Sequence, residues 1–386
     1  MTIGTFAGAH SETLTSLTSR SLLRRDVAAT GAQWLPATLI LASVAAVAYA
    51  DFIASSVSLG YLYILPLGIS AMFLRTRISY ALIVVCVFLH DFFGPPYQSL
   101  EARLAHNLTA AVGFTFVVYV IQRYVKQKEQ LDRTVRHQRD QLLQDVELAA
   151  QVQRMFLPTH RPSIRGLEIA GKMQPVSGVS GDYYSYIPID EHTLQIVIAD
   201  VAGKGVPAAL LMSATAAAVQ FEASGNRDIL EVVNRLNSGL YSLSDSSRYV
   251  TLLLAHIDVR QRSLRYVNCG HNPALLFHAK TDDVVPMNSS CFPIGMFDRD
   301  ACATNSVNLD TGDVLVFYTD GVIEAENLLE EEFGMERLST LIRCGHTMSA
   351  TDLMNHILKS VTDFSRDVGF DDDVTILVVK LQFDSM

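Results

Sequence analysis

Charge is scarce in this sequence. Only 18% of its 386 residues are charged, and acids outnumber bases 40 to 30, giving a formal net charge of -10. A protein that grips a phosphate backbone needs a basic surface, so no nucleic acid is expected as a partner. Tryptophan occurs once and cysteine five times. Cys86, Cys269, Cys291, Cys302 and Cys344 contain no C-x-x-C pair, which suggests neither zinc nor a disulfide framework and reads as reduced thiols. No motif for a serine or cysteine nucleophile is present. A P-loop fails because Ile198 stands where its first glycine belongs and no Ser or Thr follows Lys204. Gly203, Gly205 and Ala208 do match a G-x-G-x-x-A dinucleotide fingerprint. The acid that should end a second strand is missing, however, since Glu222 falls at a helix end, and Asp200 would repel a pyrophosphate.

What the chain has in excess is apolar sequence. Its mean hydropathy of +0.23 is too high for a purely soluble enzyme, and the excess lies in the first third. Residues 1–33 are polar, rich in Ser and Thr, and carry Arg20, Arg24 and Arg25; they read as a cytoplasmic tail. Residues 34–122 hold four apolar segments, Trp34–Ala50, Val57–Leu74, Ile78–Phe93 and Leu104–Ile121, each near the lower limit of about 17 residues for a spanning helix. Arg75 and Arg77 sit between the second and third segments, and Arg123, Lys126 and Lys128 follow the fourth. By the positive-inside rule both termini then face the cytoplasm, giving a multi-pass protein of the inner membrane with membrane lipid around it. Ala48-Tyr49-Ala50 also fits a signal-peptide cleavage pattern, but three more segments follow, so the topology of the C-terminal region is unchanged. His90, Asp91, His106 and Asn107 lie near segment ends, where such groups mark a ligand or proton site or make ordinary interhelical hydrogen bonds.

Residues 123–160 are charged and helical in period. Val135, Leu142, Ala149 and Phe156 fall seven apart, with Leu131 and Val152 on the neighbouring seam, which Gln138 and Asp145 interrupt. This predicts a weak coiled coil and hence a homodimer through the linker helix, the alternative being an inert spacer. From residue 161 to 386 the texture changes to short apolar runs in tight succession, with paired helical stretches between them. That pattern predicts an α+β domain of stacked antiparallel sheets flanked by helices.

Four of these runs end on acids beside glycine or further acids: Asp182 in VSGDYYS, Asp200 in VIADVAGKG, Asp320 in VFYTDGV, and Asp371, Asp372 and Asp373 in FDDDVTILVVK. Taken singly, Asp200 caps a helix, Asp320-Gly321 makes a turn and the acidic triplet is a solvated loop. Taken together, converging carboxylates repel unless cations or protons neutralise them. With only oxygen ligands on offer, hard divalent ions are expected, Mn²⁺ or Mg²⁺ and not zinc. Two such ions about 4 Å apart activate water for in-line displacement at phosphorus, which is phosphate-ester hydrolysis.

From Val146 to Leu381 the chain resembles the metal-dependent PPM-type serine/threonine phosphatases, in their bacterial SpoIIE-like branch. The resemblance rests on AAQVQRMFLP (Ala149 to Pro158), VSGDYY (Val179 to Tyr184), IADVAGKGVPAALLMS (Ile198 to Ser213), YVNCGHNPALL (Tyr266 to Leu276), FPIGM (Phe292 to Met296), VFYTDGVIEAEN (Val316 to Asn327) and DDVTILVV (Asp372 to Val379). It implies a fold of two antiparallel sheets sandwiched by helices. It also implies a two-ion site held by Asp182, Asp200, the backbone carbonyl of Val201, Asp320 and Asp372, with Lys204 as a contact for the substrate phosphate. Ser185 departs from the family, many members of which carry a further aspartate there. The implied substrate is a phosphorylated protein of the anti-sigma-factor antagonist type, dephosphorylated at serine or threonine, and the VQRMFLP segment is implied to be a regulatory hinge. The competing expectation is a catalytically silent, membrane-tethered binding module of a partner-switching pathway.

Overall fold

The computed structural model describes residues 34–383 apart from 55–58, 94, 95, 98, 224, 226, 244–247 and 299–301. The expected tail, 1–33, lies outside the described residues. The chain divides into two compact units, Met1–Arg139 and Asp140–Met386, and the boundary falls inside one continuous helix.

The first unit contains α1 (Trp34–Ile53), a 3₁₀ turn (Gly60–Tyr63), α2 (Ile64–Phe73), α3 (Thr76–Phe93) and the start of α4 (Leu100–Arg154). Its interior packs Val44, Tyr63, Leu67, Ile83, Cys86, Phe114 and Val118. Large apolar side chains such as Leu41, Phe52, Leu65, Val84, Phe88 and Phe116 point outward and are exposed. An apolar exterior over an apolar interior is what a helix bundle needs to be wetted by lipid rather than water. The second expected span is shorter than its sequence suggests. The apolar helical stretch there is Gly60–Phe73, about 23 Å at roughly 2.0 Å per residue through the 3₁₀ turn and 1.5 Å beyond it.

Helix α4 runs unbroken for 55 residues, because it holds one internal glycine, Gly113, and no proline. Along it Leu131, Val135, Leu142 and Val152 are exposed. Phe156, expected to continue that seam, lies past the helix end in a turn in which its N–H bonds to Gln153 O at 3.0 Å, and its ring packs on the core of the second unit.

The second unit is a sandwich of two five-stranded antiparallel sheets, as the sequence predicts. It comprises β1 (Leu167–Gln174), β2 (Asp182–Pro188), β3 (Thr193–Val201), α5 (Val206–Ala223), α6 (Ile229–Leu243), β4 (Val250–Asp258), β5 (Ser263–Cys269), β6 (Ala274–His278), β7 (Asp283–Met287), β8 (Asn305–Asn308), β9 (Val314–Tyr318), α7 (Asp320–Ile323), α8 (Gly334–Gly345), α9 (Ala350–Phe364) and β10 (Val374–Leu381). One sheet is ordered β1-β10-β9-β6-β7, the other β2-β3-β4-β5-β8. The central strands are covered on both faces, which is why β10 reads as an uninterrupted apolar run in which every residue is buried.

Between the sheets pack Tyr184, Ile196, Ile198, Leu253, Phe317 and Leu377. Helices α8 and α9 cover one outer face, and α5 and α6 the other. By length and hydropathy α5 would pass for a membrane span, but Met212, Ala216 and Val219 are fully buried against β3 and β4. Hydropathy alone does not separate a lipid-facing helix from one laid on a sheet.

Two edge strands, β7 and β8, escape the sequence reading. β8 (NSVN) is four residues long and lacks an apolar run, and β7 (DVVPM) contains Pro286, which only an edge tolerates. The cysteines also differ from expectation. Cys291 and Cys302 are joined as a disulfide with a Cα–Cα separation of 4.9 Å, and the buried Cys269 brings its Sγ within 4.8 Å of both. The loop between β7 and β8 folds back over the end of β5 to make this contact, a juxtaposition that spacing along the chain does not encode.

Candidate metal centre

The site grows from one register position. Asp182, the first residue of β2, stands directly opposite Asp200 near the end of β3. Residues opposed in an antiparallel ladder share a face, and here it is the face turned toward the other sheet. From that other sheet come Asp320, which follows β9, and the Asp371–Asp373 run, which leads into β10. Each sheet thus sends two acidic chain segments to the same end of the interlayer space.

Asp182 is 2% exposed, and its Oδ2 accepts hydrogen bonds from Thr319 Oγ1 at 2.8 Å and Thr375 Oγ1 at 2.5 Å. Both hydroxyls belong to the opposite sheet, so they fix the carboxylate across the sandwich. Asp200 lies over Gly181. A Cβ built on that glycine would come within 3.4 Å of Val201 O and 3.5 Å of Asp200 Oδ1, so these two oxygens border one small space. Gly321 carries a stricter constraint, since its Cβ would lie 2.2 Å from Asp373 O. Only glycine lets α7, and with it Asp320, sit this close to the acidic loop.

The three acids of that loop divide their tasks. Asp373 spends both oxygens on backbone amides, Val176 N at 2.8 Å and Gly181 N at 3.0 Å. Asp371 is exposed, and its carbonyl accepts from Lys204 Nζ at 2.8 Å. Asp372 places Oδ2 2.8 Å from Lys204 Nζ. The lysine expected to touch substrate phosphate is therefore paired with one of the expected ligands. Lys204, Gly321, Glu324, Glu332 and Asp372 line a cavity of about 160 Å³ beside the acids.

The electrostatics show how closely the carboxylates crowd. Burial, reinforced by Asp200, raises Asp182 well above the ordinary carboxylate range. Burial and then Asp320, Asp372 and Asp373 push Asp200 up to about 7. Asp320 is raised by burial and by Asp372, and Glu324 by burial and by Asp320. Each acid disfavours the charge of the next, a repulsion that bound cations would offset. All the donors are oxygen, which fits a hard divalent ion. Among the described residues, no three of these acids bring ligand atoms within 4.8 Å of one another. Such tight grouping is not required of a centre extended over two ions about 4 Å apart.

Several supporting residues escape the sequence reading. Thr319 and Thr375 flank the strand-end acids, and a hydroxyl so placed is the one signal that could have marked them. Thr251 Oγ1 bonds to Asp200 O at 3.3 Å and to His271 Nδ1 at 2.9 Å, and burial holds His271 neutral, with its pKa lowered to about 4. Ser185 lies on the opposite face of β2 from Asp182, 3.4 Å from Gln220 Nε2 of α5. A side chain there points away from the four acids, so the departure from the family pattern leaves them intact.

The end of α4 reaches the same loop. Gln153 Nε2 donates to Ser180 O at 2.6 Å, and Ser180 N donates back to Gln153 Oε1 at 2.9 Å. Val146, Ala150, Val179 and Ala209 pack beside this pair. The helix terminus thus grips the residues that deliver Gly181 and Asp182.

Comparison with known proteins agrees with this architecture. The family model described as Stage II sporulation protein E (SpoIIE) matches residues 190–382, beginning just after Asp182. Phosphoserine phosphatase RsbU of Bacillus subtilis is 27% identical over 286 residues, covering 74% of this chain and 82% of its own. Phosphoserine phosphatase RsbP of the same organism is 30% identical over 185 residues, but the match spans only 45% of that protein. Among solved structures, the SiaA-PP2C domain of Pseudomonas aeruginosa superimposes with a TM-score of 0.56 at 22% identity, covering 64% of this chain and 98% of that one. The PP2C phosphatase domain and regulatory fragment of SpoIIE from Bacillus subtilis gives 0.51 at 22% identity, covering 57% and 64%. At such identities these structures bear on the fold alone.

Proposed function

The chain belongs to the SpoIIE family of PP2C-type serine/threonine phosphatases, and from that premise we propose that it is a membrane-anchored phosphatase acting on phosphoserine or phosphothreonine of a partner protein. The observation that carries the chemistry is the pairing of Asp182 with Asp200 on one sheet, against Asp320 and Asp372 from the other. Asp182, Asp200, Val201 O, Asp320 and Asp372 would hold two divalent cations, Mn²⁺ or Mg²⁺, which supply a water acidified for attack at phosphorus. The protein's own part is positional. Thr319 and Thr375 lock Asp182, and Gly181 and Gly321 leave room for close approach. Lys204, tethered beside the cavity, offers its ammonium to an incoming phosphate while remaining within reach of Asp372.

RsbU and RsbP are named phosphoserine phosphatases, which supports a phosphoprotein substrate, of the anti-sigma-factor antagonist type. The exposed apolar surface of the first unit supports a multi-pass anchor, and Arg75, Arg77, Arg123, Lys126 and Lys128 at the segment ends favour the cytoplasmic side for the phosphatase unit. The exposed seam of α4 supports a homodimer, and the Gln153–Ser180 pair supports a regulatory hinge at the helix end, because moving it moves the loop that aims Asp182.

The test is phosphate release from a serine-phosphorylated antagonist protein by the full chain in lipid nanodiscs, with Mn²⁺, Mg²⁺ or chelator present. Release is expected with the divalent ions and absent with chelator. A folded chain that releases none with any divalent ion overturns the reading.

A further inference from the structure

The first unit contains a second buried polar group, distinct in chemistry from the acidic site. Asp51 of α1 and His90 of α3 are 1% and 2% exposed. Asp51 Oδ1 accepts from Leu59 N at 2.8 Å. Asp51 Oδ2 and His90 Nδ1 lack hydrogen-bond partners and face each other at 3.5 Å. On its other side His90 Nε2 meets His106 Nε2 of α4 at 2.7 Å. The His90 ring lies against the backbone of Gly60, where a Cβ would fall 1.9 Å from Nδ1. A glycine at the start of the 3₁₀ turn is thus what admits the imidazole.

Of the other titratable groups nearby, Asp91 is paired, whereas the buried Tyr63 hydroxyl has no hydrogen-bond partner among the described residues. Asp91 is held by Arg103 through an ion pair and by Asn107 Nδ2 at 2.7 Å. Tyr97 packs its ring 5.4 Å from that of His106. The Tyr63 hydroxyl lies within electrostatic reach of Asp51 and Cys86. His106 is half-buried and is the least enclosed member of the row.

We propose that Asp51, His90 and His106 form a proton-binding relay that joins α1, α3 and α4. The arrangement dictates its own count. Two ring nitrogens 2.7 Å apart share one proton, since one must donate and the other accept. With Asp51 ionised, His90 directs Nδ1–H at the carboxylate and accepts the bridging proton from His106, so both rings are neutral. One added proton settles on His106 Nδ1 while the bridging proton passes to His90, which becomes a cation beside Asp51. The bridge survives and the buried carboxylate is compensated. A second added proton leaves N–H facing N–H, and the bridge between α3 and α4 breaks. A metal ion is a poorer occupant, because Asp51 and His106 lie on opposite sides of the His90 ring. On the topology proposed above this row sits at the extracytoplasmic end of the bundle, so it would report outside acidity. The proton site itself does not rest on the phosphatase reading.

The test is solid-state NMR of the full chain in phosphatidylcholine nanodiscs, with ¹⁵N-labelled histidine and chelator present, titrated from about pH 8 to pH 5, the imidazole range. The signals are assigned with His90→Gln and His106→Gln. At the alkaline end a shared-proton Nε2–Nε2 pair is expected, and it should vanish in acid as both rings become cations. In His106→Gln the amide can accept from or donate to His90 Nε2, whichever way His90 is protonated, so its α3–α4 contact should persist across the titration. A bridge that survives to the acid end overturns the proposal, as does loss of the α3–α4 contact in acid in His106→Gln. So does displacement of the bridging proton by one equivalent of ZnCl₂ at the alkaline end in a chelator-free sample, which would make the site a metal site. The wild-type titration decides by itself, so a variant that misfolds does not weaken the test.

Discussion

Asp51 in the first unit and Asp182 in the second are almost equally enclosed, 1% and 2% exposed, yet their surroundings are opposite. Asp51 faces an imidazole that can take a proton and become its counter-ion. Asp182 faces two hydroxyls and another carboxylate, and its neighbours beyond are acids again. Burying charge costs several kcal/mol per ion unless it is compensated. The first unit keeps its compensation inside the protein, whereas the second gathers carboxylates that protons or, on the function proposed above, external cations neutralise. A group closed on itself suits a sensor, and one left open suits a metal centre. That contrast can be tested by removing charge from each side.

The largest effect is expected at the metal centre itself. Asp200→Asn should lower phosphatase activity by at least about a hundredfold, since loss of even an outer partner of a metal ligand costs 10–100-fold. The same change should raise the stability of the metal-free protein, by on the order of 4 kcal/mol at neutral pH, because it removes the carboxylate whose pKa is pushed up to about 7. Asp51→Asn should do the reverse, destabilising the first unit by stranding His90. Thermal melts of the two variants in chelator check this, and shifts of the same sign in both would break the comparison.

Next comes the cation. At a hundred times its dissociation constant a bound ion should stabilise the second unit by about 2.7 kcal/mol. The sign of the pH dependence follows from Asp200. Its folded pKa lies above the unfolded value of 3.8, so the native state holds the extra proton in that window. Metal-free stability should therefore fall as pH rises from about 4 to 7, while the stabilisation by Mn²⁺ grows over the same range. Melts at several pH values, with and without Mn²⁺, measure both slopes.

The part of this contrast that the sequence discloses is uneven. The sandwich is legible because β3, β9 and β10 are apolar runs that each abut an acid, and four such junctions need one explanation. Gly203 and Gly205 mark the turn after Asp200. The hydroxyls of Thr319 and Thr375 are legible only as neighbours of the strand-end acids, since what makes them matter is that they reach Asp182 from the other sheet. Nor is the division of labour within Asp371, Asp372 and Asp373, three identical residues that only backbone geometry separates. His90 and His106 are visible as polar groups near segment ends, but Asp51, their partner from another helix, carries no local signal. Contacts between distant segments are written in packing rather than in spacing.

A smaller effect is expected from Gly321→Ala. The new methyl would collide with Asp373 O, 2.2 Å from the ideal Cβ position, so α7 or the acidic loop must shift. Overpacking of this kind costs about 1–3 kcal/mol. Activity should fall with it, because Asp320 and Asp372 ride on the two segments forced apart. Denaturant titration and Mn²⁺ calorimetry would separate the loss of stability from the loss of cation affinity. A variant with unchanged cation binding would show that the two segments need not be so close.

The smallest effect on stability, and the most informative, belongs to Lys204. Its side chain is 66% exposed and that of Asp372 39%, and exposed ion pairs contribute about 0–1 kcal/mol. Lys204→Ala should therefore leave the melting temperature nearly unchanged. Its influence on turnover depends on which partner the ammonium serves. If it serves incoming phosphate, KM for the phosphoprotein rises and cation affinity is unaltered or slightly improved, since a competing positive charge beside Asp372 is gone. If it serves the acidic loop, through Asp371 O at 2.8 Å, cation affinity falls and KM follows only indirectly. Measuring KM and Mn²⁺ affinity on one variant separates the two. Only the first result assigns Lys204 to the substrate and leaves the second unit, unlike the first, with no compensating charge of its own.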